Sequence, residues 1–132
     1  MVGLIVCAIP GVCLVGQALV VVEVRNHSGA HLERVCVQAG GGRGAGACRH
    51  ALPDGTSAFI VLLGSDASTA EVLVEGSDGE RCAVLDAYVT NGDRWSVTVG
   101  EDDAWFSGPG VHEAVRWNVA GVNCSDAHAR RP

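Results

Sequence analysis

The chain has 132 residues, a one-domain length, and its 48% hydrophobic residues and mean hydropathy of +0.24 are ample for a packed core, which excludes disorder for most of it. Its formal charge of -6 arises from fifteen acids against nine arginines, with no lysine and no basic run before Arg130-Arg131. A nucleic-acid partner is therefore not expected, because phosphate binding needs a clustered cationic face.

Met1 to Val22 carries no charged side chain, and Leu4 to Leu14 is an apolar run interrupted by Pro10-Gly11. This has the length and character of a signal h-region, and Gly16-Gln17-Ala18 supplies the small residues that a signal peptidase pocket accepts. Residues 1–18 are thus expected to be a signal peptide, with Leu19 as the mature N-terminus and the product exported to the periplasm or the medium. The usual Lys or Arg of the n-region is missing. The alternative is a retained membrane anchor, since about 20 apolar residues can span a bilayer. Cleavage would also remove Cys7 and Cys13, leaving Cys36, Cys48, Cys82 and Cys124, an even number that reads as two disulfides in a short exported domain. None of the four lies in a Cys-x-x-Cys arrangement, so no metal and no redox cofactor is expected.

From Leu19 onward the periodicity is that of β-strands. Val20, Val22 and Val24 alternate with Val21, Glu23 and Arg25, and Asn26-His27-Ser28-Gly29 then breaks the strand. Leu32 to Ala39 is a second strand, with Val35 and Val37 on the core face and Cys36 on the other. Gly40 to Gly46 is a loop; if it closes a hairpin, Cys36 comes opposite Cys48, Val37 opposite Ala47 and Gln38 opposite Gly46. Leu52-Pro53-Asp54-Gly55 is a turn, Ser57 to Leu63 an apolar strand ended by Gly64-Ser65-Asp66, and Ala70 to Glu75 an alternating strand. Gly76 to Gly79 turns the chain into a strand over Glu80 to Thr90. Tyr88-Val89-Thr90 and Trp95 to Val99 flank Asn91-Gly92-Asp93, and Asn-Gly is the preferred hairpin dipeptide because both residues tolerate positive φ.

These elements predict an all-β fold, an immunoglobulin-like two-sheet antiparallel sandwich of about seven strands over residues 19–100. Residues 101–132 are expected to be an irregular C-terminal extension. Glu101-Asp102-Asp103 reads there as a solvated turn, Ser107-Gly108-Pro109-Gly110 forbids regular structure, and Ala114 to Val119 is one further strand.

The pattern Asn26-x-Ser28-Gly29-x-x-Leu32-x-x-Val35-x-Val37, then Leu52-x-x-Gly55, then Tyr88-Val89-Thr90-Asn91-Gly92 ahead of Val97-Thr98-Val99, resembles small exported bacterial domains of immunoglobulin-like type. The resemblance spans about residues 20 to 100 and implies fold and location only. The four cysteines and the Trp-rich extension depart from it.

No constellation assembles a catalytic site. His27 and His31 have metal-ligand spacing only on a helix, and Ser28-Gly29 between them makes the segment a turn. Cys48 beside Arg49 and His50 reads as a disulfide half rather than an activated thiol. No Gly-x-Ser-x-Gly elbow occurs, and the glycine loop lacks the helix and the Lys of a phosphate cradle. Asn26-His27-Ser28 and Asn123-Cys124-Ser125 match the glycosylation sequon. Trp105, Phe106 and Trp117 lie outside the strongest strand pattern in a chain with three Trp, two Phe and one Tyr, and are the candidate surface for a protein or glycan partner, their alternative being core. The expected function is a non-catalytic extracytoplasmic binding or structural domain. The alternatives are a secreted, disulfide-stapled enzyme inhibitor with the glycine loop as its edge, and a small hydrolase, which requires two histidines and an acid to meet.

The hairpin register pairs Cys36 with Cys48, and elimination then pairs Cys82 with Cys124. The rival, Cys36 with Cys82, requires both side chains to point inward, against the alternation of Val35 and Val37.

Overall fold

The computed structural model describes residues 5–9, 12–15, 19–40, 46–63, 67–77, 79–90 and 92–119. Among the described residues, strands β1 (Ile5–Ile9) and β2 (Val12–Val15) pair only with each other, antiparallel. They fall within the segment read as a signal peptide. Ten further strands follow: β3 (Leu19–Asn26), β4 (Leu32–Ala39), β5 (Gly46–Leu52), β6 (Ser57–Leu63), β7 (Ala70–Gly76), β8 (Gly79–Leu85), β9 (Arg94–Val99), β10 (Asp103–Gly108), β11 (Val111–Arg116) and β12 (Asn118–Val119). They form two five-stranded sheets, ordered β11-β10-β9-β3-β6 and β12-β8-β7-β4-β5. The chain is an all-β, two-sheet sandwich.

Alternation decides the core. From the first sheet, Val20, Val22 and Val24, Ile60 and Leu62, Trp95, Val97 and Val99, and Phe106 point inward, and from the second come Leu32, Val35, Val37, Val72, Val74 and Leu85. Strands β3, β4 and β9 therefore bury their large apolar residues at period two. The two outer faces differ. On the second sheet Glu71, Leu73 and Cys82 are buried as well, so the middle of that sheet is covered on both sides, while the outer face of the first sheet carries the exposed Phe59, Val61 and Trp105.

Four expectations need correction. First, residues 103–119 are regular: β10 and β11 form a hairpin that extends the first sheet, in register from Asp103 opposite Arg116 to Gly108 opposite Val111. Pro109-Gly110 is a tight turn, with Gly110 at φ +71°, where a residue with a Cβ would be strained. Gly108 is no breaker either; a Cβ there would run into the Trp95 ring, so the glycine is what lets the strand end against the indole. The sandwich therefore has five strands in each sheet rather than about seven in all.

Second, the strand after the β7–β8 turn ends at Leu85 instead of Thr90, and Val89 makes an isolated bridge to Ala67. Third, β9 does not fold back on the segment before it. Asp93 N donates to Thr90 O (3.0 Å), Asp93 Oδ2 accepts from Thr90 N (2.8 Å) and Gly92 has φ +95°, so the turn forms, but it hands the chain from one sheet to the other. Strand β9 then lies parallel to β3 and antiparallel to β10, and the sandwich is not wholly antiparallel.

The fourth concerns Asn26, which is fully buried rather than available as a glycan acceptor. Its Nδ2 donates to Ala30 O and Leu52 O (both 2.8 Å), and its Oδ1 accepts from Ser28 N (3.0 Å) and Ser28 Oγ (2.6 Å). The Asn-x-Ser pattern is thus a turn device that pins β3 to β5. Asn26→Ala strands the buried Leu52 carbonyl, and the expected loss is about 1–3 kcal/mol, read as a lower urea midpoint. The second sequon asparagine, Asn123, lies outside the described residues.

The predicted hairpin register holds residue for residue: Cys36 faces Cys48, Val37 faces Ala47, Gln38 faces Gly46, and Cys36–Cys48 is a disulfide with Cα atoms 4.0 Å apart. This rules out Cys36 with Cys82. Cys82 is itself disulfide-bonded, and its expected partner Cys124 lies outside the described residues.

Candidate functional site

The three residues proposed as a partner surface separate into three environments. Trp105 is 47% exposed on the outer face of β10, whereas Phe106, one residue on, is 1% exposed and belongs to the core. Strand alternation alone divides them. Trp117 is half-buried against the core, its Nε1 donates to Gly100 O (3.0 Å), and the Arg81 guanidinium lies 5.2 Å from its ring centroid. It fastens the end of the sandwich, with the arginine stacked on its ring. The trio is not one surface.

The open face of the first sheet brings together what the sequence reading missed. Because β6, β3, β9, β10 and β11 are adjacent and in register, Phe59, Glu23, Ser96, Ser107 and His112 form one row across the strands, and Ser57, Arg25, Thr98, Trp105 and Ala114 form the next. Phe59 is 59% exposed and Val61, on the same side, 46%. Their strand reads as uniformly apolar, which suggests core on both sides. The usable signal is that Phe59 stands opposite Glu23, a residue of the solvated face.

A cleft of about 410 Å³ opens on this face. Val21, Glu23 and Ser96 form its floor, Phe59 one side, and Ser107-Gly108-Pro109 of the β10–β11 hairpin the other, with Arg94 and Trp95 at its end. At the usual strand spacing, Phe59 and Trp105 stand about 14 Å apart across the strands. The Arg25 guanidinium pairs with the Glu23 carboxylate at 2.8 Å, so this part of the face is close to neutral. Ser107 Oγ and His112 Nδ1 are 3.0 Å apart, holding the hydroxyl at the cleft wall. Trp95 Nε1 is buried and finds no acceptor among the described residues.

The Ser107–His112 pair falls short of a hydrolytic centre. A catalytic serine needs a base that is in turn oriented by a third group. No carboxylate hydrogen-bonds or ion-pairs His112 among the described residues, and both side chains lie on an open sheet face. His27, His31 and His50 are exposed and share no cluster with it; no group of three His, Cys, Asp or Glu side chains with metal-binding geometry occurs among the described residues. Cys48 is spent in its disulfide. The glycine loop falls mostly outside the described residues.

No family model and no curated protein matches this chain. Among solved structures, the chain is similar to the following one. That structure is of SPH (Self-Incompatibility Protein Homologue) proteins, titled a widespread family of small, highly stable, secreted proteins from plants; it aligns at 12% identity over 76% of this chain and 95% of that one, with a TM-score of 0.48.

Proposed function

We propose that the chain is an exported, non-catalytic binding module and that the open face of its first sheet takes a glycan. The observation that carries this reading is the pair of half-exposed rings, Phe59 and Trp105, standing on one sheet face where Phe59 also lines a cleft with polar side chains. Aromatic faces stack on the C–H faces of sugar rings, and the hydroxyls between them need donors and acceptors. Ser96, Ser107, Glu23 and Arg94 offer both kinds. A flat array of strands suits an extended chain of sugars, and a near-neutral face suits a ligand with many hydroxyls. Export is supported by the uncharged segment before Leu19 and by the Cys36–Cys48 disulfide, a bond that persists in oxidising compartments.

Titration with a panel of neutral and acidic oligosaccharides, followed by tryptophan fluorescence, tests the proposal. Trp105 is the exposed tryptophan, while Trp95 is buried and Trp117 half-buried, so a binding-dependent change is expected to disappear in Trp105→Ala. Trp105→Ala and Phe59→Ala should each weaken binding about tenfold or more, the equivalent of about 1.4 kcal/mol. Unchanged affinity in both variants, or no binding across the panel, overturns the assignment.

A further inference from the structure

The two sheets expose four edge strands, and three of them carry the usual obstacles to strand addition. Strand β11 presents His112, Glu113 and Arg116, β5 presents Arg49 and His50, and β12 is only two residues long. Strand β6 has none. Ser57–Leu63 contains no charge and no proline, its ladder with β3 runs from Leu63 to Ser57 without a bulge, and among the described residues no strand pairs with its other side. Proteins normally blunt such an edge with charge, proline or a bulge, because its free N–H and C=O groups template another strand.

We propose that β6 is the docking edge for a second copy of this chain, the two β6 strands pairing antiparallel about Ile60 so that the two first sheets become one. The backbone supports this register. Val21 N donates to Asp93 O, on the β9 side, so the odd positions of β3 face β9 and its even positions face β6. The β6 residues opposite those even positions, Ala58, Ile60 and Leu62, therefore turn their backbone groups toward β3. Ser57, Phe59 and Val61 turn theirs to the free edge. Pairing about Ile60 sets Phe59 opposite Val61 of the partner subunit and Val61 opposite Phe59 of the partner subunit, and each pair exchanges both N–H···O bonds.

Side chains and charge agree with the backbone. Phe59 and Val61, 59% and 46% exposed, lie on the same outer face and would meet their counterparts as aromatic and β-branched cross-strand pairs. Each chain has a formal charge of -6, which opposes self-association in general, yet this edge brings no charged residue against another. Glu23 and Arg25 on the neighbouring strand β3 neutralise each other. The two-fold axis lies perpendicular to the joined sheet, so the clefts of both copies open on one continuous surface.

Sedimentation equilibrium and light scattering on the oxidised protein, over a concentration series, are expected to show a monomer–dimer equilibrium. Val61→Lys, a change on an exposed position, should raise the dissociation constant at least tenfold while leaving the urea midpoint near that of the parent. Trp105→Ala, three strands away, should leave it unchanged, which separates this proposal from the glycan reading. The amides of Phe59 and Val61 should exchange slowly at high concentration and quickly at low. A protein that stays monomeric at hundreds of micromolar, or a dimer that Val61→Lys does not weaken, overturns the assignment.

Discussion

Phe106→Ala is expected to lower the stability of the domain by about 3–5 kcal/mol, the range for removing a buried aromatic and leaving a cavity. Phe106 is 1% exposed on the first sheet's inner face, beside a small apolar space lined by Val20, Val22, Val37, Leu62 and Val97. These are strand residues on a hydrogen-bonded scaffold, which cannot close in to fill the gap. A domain of this size is typically stable by about 5–15 kcal/mol, so the loss is a large fraction of the total. The neighbouring change Trp105→Ala provides the contrast. Its ring is half in solvent, and its removal should cost well under 1 kcal/mol of stability while weakening glycan binding about tenfold or more. Urea unfolding of the two variants side by side checks both, with the midpoint falling steeply for Phe106→Ala alone and the m-value little changed.

The double variant Cys36→Ser, Cys48→Ser should lose about 3 kcal/mol, the chain-entropy value for a short closed loop. The separation of 12 residues sets that loop, and the location of the two residues makes the estimate clean. Cys36 is half-buried and Cys48 exposed on the outer face, so serine hydroxyls there meet solvent and create no buried polar group. The loss therefore acts through the unfolded chain, which gains freedom and exposes more surface, and the m-value should rise along with the fall in midpoint. The Cys82–Cys124 bridge expected from the sequence closes a longer loop, worth about 4 kcal/mol on the same model. Reduction of the parent protein should accordingly cost more than the double variant. Peptide mapping without reductant checks the pairings, and a Cys36 peptide linked to anything but Cys48 contradicts the hairpin.

What the sequence determined by itself was local. Val20, Val22 and Val24 announce their strand because burial on one face of a pleated ribbon has period two, and the Cys36–Cys48 pairing followed from counting across a loop. Hairpin register depends only on residues near each other in the chain. The tertiary structure decided what depends on distant partners. Asn91-Gly92 carries a hairpin signal, yet the strand after it joins β3, some seventy residues earlier in the chain, because the apolar side of Trp95, Val97 and Val99 is better covered between β3 and β10 than beside Tyr88. Turn residues state that the chain turns and are silent about which sheet receives it. Phe59 and Trp105 share one face for the same reason: two strands drawn from separate parts of the chain, β3 and β9, must be laid edge to edge between β6 and β10, and only their long-range pairing puts two rings from opposite halves of the sequence on one sheet face.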